Sequence, residues 1–143
     1  MKKWIATSLI MLSIGYAATA QCRGKISWNA AKAEIVDSSG KLLETLPGKV
    51  LVETTQTDIL MRHDEAGADD LKGNIRDLVC SWKEPFRNGK TVFRADLVNA
   101  GGDVRPATVT IEGVDGKITI TAVPDHQEGK KIKIVVDSFK ENN

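Results

Sequence analysis

The chain has 143 residues, with 20 Lys and Arg against 19 Asp and Glu, two histidines and two cysteines. That length suits one domain with one core. The near-neutral charge argues against a nucleic-acid partner, whose phosphates need a basic face, and the one local basic cluster, GKKIK at 129–133, reads as the solvent face of a strand; two histidines exclude a histidine-rich metal centre.

Lys2 and Lys3 form a short positive n-region, followed by an apolar stretch from Trp4 to Tyr16 and then small residues, Ala17-Ala18-Thr19-Ala20. Ala18 and Ala20 supply the A-x-A pattern that a signal peptidase reads. The 13 residues of the apolar stretch fall short of the roughly 20 that cross a bilayer as a helix, so an uncleaved anchor is the weaker reading. Cys22 lies close to the cleavage point, but lipid attachment wants a small residue before the cysteine and Gln21 stands there. Residues 1–20 are therefore read as a secretory signal peptide, and residues 21–143 as a single domain that is periplasmic or secreted. Loss of Lys2 and Lys3 leaves that domain with 18 basic and 19 acidic residues.

Cys22 and Cys80 are the only cysteines, and in an oxidising compartment a lone pair reads as one disulfide. Closing the loop between them removes denatured-state entropy worth on the order of 4 kcal/mol in the chain-entropy model. A zinc site needs further ligands, and no histidine is near either cysteine in sequence.

Strands are expected over Ala33–Asp37, Lys49–Thr55, Asp58–His63 and Asn74–Trp82, with Lys41–Leu46 a strand or a short helical turn. Turn residues punctuate these runs at Ser38-Ser39-Gly40, Pro47-Gly48, Gly101-Gly102-Asp103 and Gln127-Glu128-Gly129. The stretch 63–70, HDEAGADD, gathers His63, Asp64, Glu65, Asp69 and Asp70, but it lacks the alternate-position acids of a calcium loop and reads as a solvated loop. On Asn74–Trp82, strict alternation puts Asn74 and Arg76 on the face of Leu78, Cys80 and Trp82. An inward Arg76 would need an anionic partner, which a ligand carboxylate would supply; on an exposed strand end it is simply solvated.

Asn88-Gly89 signals a hairpin in which Trp82 faces Ala95 and Cys80 faces Leu97, with Phe93, Ala95 and Leu97 inward and Pro85 near an edge or bulge. The sharpest signal is Asp115-Gly116, the preferred chemistry of a type I′ turn, between two alternating runs. It pairs Ile111 with Ile120, Val109 with Ala122 and Thr110 with Thr121. The last strand, Lys131–Phe139, places Ile132, Ile134 and Val136 inward.

About eight short strands with hairpin links define an all-β domain: a small antiparallel up-and-down barrel, with a β-sandwich as the close alternative. No G-x-S-x-G elbow or S-x-x-K pattern surrounds any serine, and no cofactor fingerprint is present, so no catalytic, metal or cofactor residue is assigned and a non-catalytic protein is expected. Trp82 reads as core, and Trp28 as a plug for a barrel end. Small side chains at Ala95 and Ala122 leave the interior underfilled, which suits a small apolar or amphipathic ligand, with Arg76 and Trp82 as candidate ligand-binding residues. The alternative is a protein-binding accessory module or inhibitor of the bacterial envelope. A large internal cavity favours the first, and a filled core with an exposed apolar patch the second.

Overall fold

Alternating apolar and polar residues carry the chain through nine antiparallel strands in the computed structural model, which describes residues 22, 24–64, 70–126 and 129–142. Residues 1–20, read from the sequence as a signal peptide, and residues 65–69 of the acidic stretch lie outside the described residues. The strands are β1 (Lys25–Asp37), β2 (Leu42–Thr54), β3 (Asp58–His63), β4 (Leu71–Glu84), β5 (Asn88–Val98), β6 (Val104–Val114), β7 (Lys117–Pro124), β8 (Lys130–Val135) and β9 (Ser138–Asn142). Each of β1 to β8 pairs with the next, and β8 returns to β1, so the sheet closes. The result is an eight-stranded up-and-down barrel, not a sandwich, with β9 an extra strand beside the first half of β1.

The Asp115-Gly116 hairpin forms in the expected register: Ile111 opposes Ile120, Val109 opposes Ala122 and Thr110 opposes Thr121. Asp115 and Gly116 have φ of 51° and 85°, the positive pair that a type I′ turn demands. Phe93, Ala95 and Leu97 face inward as expected.

The Asn88-Gly89 hairpin is a correction. The turn is Pro85-Phe86-Arg87, before the dipeptide, and the register moves by six residues: Trp82 opposes Gly89 and Cys80 opposes Thr91. Gly89 lies inside β5, where a Cβ would collide with the Ser81 carbonyl oxygen and the Trp82 backbone. Asn88 caps the neighbouring turn, its Oδ1 accepting the Asp115 N–H at 3.0 Å. The dipeptide serves packing and capping rather than the reversal.

Of three further departures, the first two are β-bulges and the third is a break without a register shift. Asp77, at φ 54°, sits in a register shift between Arg76 and Val79, so the inward face of β4 runs Leu71, Gly73, Ile75 and then Leu78, Cys80, Trp82. Arg76 and Asn74 therefore lie on the outer face, opposite to strict alternation. Pro47-Gly48 is not a turn but an irregularity within β2, opposite a register shift in β1 between Ala30 and Lys32. The C-terminal run breaks at Val136-Asp137 into β8 and β9, although both halves hold a single register along β1.

Candidate ligand-binding site

The two ends of the barrel differ in how they are filled. At one end the turns 55–57, 85–87 and 115–116 converge over aromatic rings. Phe86, held at φ 53° in its turn, places its ring 5.8 Å from Trp28, 5.7 Å from Trp82 and 5.3 Å from Phe139. Both indoles are buried, and each satisfies its N–H on a buried threonine: Trp28 Nε1 donates to Thr54 Oγ1 at 3.0 Å and Trp82 Nε1 to Thr91 Oγ1 at 2.8 Å. Gly113 makes room for the second ring, since a Cβ there would stand 2.8 Å from Trp82 Cζ3. The Cys22–Cys80 disulfide ties the N-terminal segment to this end, and Cys22 Sγ lies 3.3 Å from the Thr91 hydroxyl. Trp82 is thus part of the plug, as is Trp28, which the sequence marks as a barrel-end residue.

Among the described residues the opposite end is open. The inner face of β4 to β8 carries Leu71, Leu97, Ala107, Ala122 and Ile132 there, and they line a cavity of about 350 Å³. Ala107 and Ala122 are the cause: they oppose Ala95 and Val109 in the ladder, and at this height methyl groups stand where larger side chains would meet across the barrel. Val104, Arg105, Pro106, Pro124 and His126 form the rim.

Arg105 was not among the sequence-derived candidates. It opposes Leu97 in an uninterrupted β5–β6 register and so shares the inner face with Ala107, Val109 and Ile111. Arg76, the sequence candidate, is elsewhere: on the outer face, half-exposed, donating to Asp96 Oδ1 at 2.8 Å. Neither Arg76 nor Trp82 lines the open-end cavity. The signal for Arg105 was the alternation of β6, followed two steps outward from Ala107.

Four described acids around the open end have partners of their own. Asp125 binds Arg94 on the outer face, which holds the Arg94 guanidinium pKa further above its usual value through the hydrogen bond first and the charge of Asp125 second. Asp103 receives the Asn99 amide at 3.2 Å. Asp70 pairs with Arg62 at 3.1 Å. Asp37 accepts from the Ser39 hydroxyl at 2.6 Å and from the Ser39 and Lys41 N–H groups at 2.9 Å. The hydroxyl bond leads in lowering the Asp37 pKa from its ordinary value, followed by the Lys41 N–H.

Among the described residues no three His, Cys, Asp or Glu side chains gather as metal ligands; Glu65 and Asp69 of the acidic stretch lie outside them. Compared with known proteins, the chain matches no family model, no curated protein and no solved structure.

Proposed function

We propose that this is an exported, non-catalytic binding protein that takes a small apolar or amphipathic ligand into the open end of its barrel. The observation that carries the reading is the cavity of about 350 Å³ walled by Leu71, Leu97, Ala107, Ala122 and Ile132, within the size range of small-molecule sites. At roughly 30 Å³ for a water-sized group, it accommodates on the order of ten non-hydrogen atoms. The aromatic plug at the other end makes it a blind pocket rather than a channel. Export rests on the signal-like residues 1–20 and agrees with the Cys22–Cys80 bridge, which persists in oxidising compartments. The accessory-module alternative draws no specific support: the large exposed apolar residues, Leu42, Leu43, Val79, Val104, Val114 and Phe139, are spread over four strands.

The test is a fluorescence titration with N-phenyl-1-naphthylamine, a neutral probe that brightens in apolar surroundings. The mature protein should give a saturable rise, and Ala122→Phe, which places a ring in the cavity, should weaken binding at least tenfold. No saturable rise with the parent protein, or equal binding by the variant, overturns the proposal.

A further inference from the structure

We infer that the ligand of this pocket is an acid: an apolar body with one carboxylate, held at the rim by Arg105. The inference rests on the binding reading above and adds the chemistry of the ligand's head.

Five arginines lie among the described residues, and four of them engage a carboxylate: Arg62 with Asp70, Arg76 with Asp96, Arg87 with Glu84 and Arg94 with Asp125. Arg105 is the fifth, and it makes no ion pair or side-chain hydrogen bond among the described residues. It is also the one arginine that the strand register turns to the inner face. It is exposed at the rim, and the next inner-face residues down the strand, Ala107 and Val109, are buried, so its head lies at the boundary between solvent and the apolar wall.

Four described acids of this end already have other partners. Asp103 and Asp125 flank the rim in sequence, and the first is held by Asn99 and the second by Arg94. Asp37 and Asp70, on the other loops of the same end, are held by the Ser39 turn and by Arg62. A guanidinium presents paired N–H donors that match the two oxygens of a carboxylate. An acid whose tail descends among Leu97, Ala107, Ala122 and Ile132 therefore brings its head group level with Arg105. A pocket for about ten non-hydrogen atoms suits a medium-chain acid of the size of octanoate.

The experiment is competition of octanoate and 1-octanol, matched in chain length, against N-phenyl-1-naphthylamine. It uses the mature protein, Arg105→Gln and, as an outer-face control, Arg76→Gln. The expected result is octanoate binding at least tenfold tighter than 1-octanol to the parent protein and to Arg76→Gln. Arg105→Gln should bind both equally, with its 1-octanol affinity unchanged. Added salt should weaken octanoate alone. If 1-octanol binds and the parent shows no preference for the acid, or if Arg105→Gln keeps the preference, the acid inference is overturned and the apolar-pocket reading stands. If neither compound nor the probe binds, the pocket reading falls and takes this inference with it.

Discussion

The space at the open end of the barrel has a direct mechanical consequence. Ala122 lines the cavity, whereas Ala95, on the neighbouring face of the same interior, is completely buried and does not. Replacing either by leucine adds three carbons. At Ala122 those carbons enter existing space, and at about 0.8 kcal/mol per buried methylene the variant gains up to about 2 kcal/mol. At Ala95 they enter packing that has no room, and overpacking of a filled core costs about 1–3 kcal/mol. The two variants, identical in composition, should therefore move in opposite directions. For a domain of this size, each kcal/mol shifts Tm by about 4 °C, so they separate by on the order of 10 °C. Thermal unfolding followed by the fluorescence of the buried Trp28 and Trp82 measures this directly. Equal destabilisation by both substitutions would refute the reasoning, because it would mean that side chains fill the open end in solution.

Other perturbations probe the remaining parts of the frame. Removing the Cys22–Cys80 bridge by the double Cys→Ser change should lower stability by on the order of 4 kcal/mol in the chain-entropy model, measured by urea unfolding; an unchanged midpoint would show that the bridge constrains nothing. Gly116→Val puts a β-branched residue at φ 85° and should cost roughly 1–2 kcal/mol, against almost no effect for Lys117→Val beside it. Asp37 has its carboxyl pKa lowered in the folded protein, so its contribution is present above the ordinary aspartate value of 3.8 and is lost as pH falls through the lower folded value. In Asp37→Asn the Tm deficit relative to the parent should therefore shrink on acidification through this range; a deficit independent of pH would remove the ionised carboxylate from the account.

How much of this was legible in the residues depends on whether two signals coincided. Between Ala107 and Val123 the turn dipeptide and the alternation agree, and the register follows to the residue. Around Asn88-Gly89 a strong turn dipeptide stands in a strand because Trp82 needs the space beside it. The true reversal uses Phe86 in a positive-φ conformation, for which an aromatic residue gives no local hint. The bulge at Asp77 inverts the face of everything before it, which is why Arg76 was assigned inward and lies outward. Arg105, which does lie on the inner face, was readable in principle, since β6 has no bulge, but a lone arginine beside Pro106 at a strand end carries no motif. Of the two small residues read as underfilling the interior, Ala122 lines the open space and Ala95 stands in filled packing; that the space gathers at one end was not legible, because it depends on where the aromatic residues collect.

That segregation follows from the break at Val136-Asp137. Inward alternation through Ile132, Ile134 and Val136 would, if continued, turn Phe139 out to solvent. Asp137 interrupts it: its N–H donates to the Asn29 carbonyl at 2.8 Å and its Oδ2 accepts the Ala31 N–H at 2.7 Å, so a side-chain oxygen stands in for a ladder carbonyl. Val136 still donates to Ile118 at 3.0 Å, the last bond to β7, after which β9 continues along β1 alone. With the face reversed, Phe139 opposes Trp28, their ring centroids 5.4 Å apart, and joins the plug. The large rings are thereby committed to one end, together with the disulfide and the two threonine-capped indoles. What remains for the other end is leucine, isoleucine and alanine on a closed, hydrogen-bonded wall. On the proposed reading, a wall held from below by that plug would present its pocket before a ligand arrives, an arrangement that leaves little ordering cost for binding.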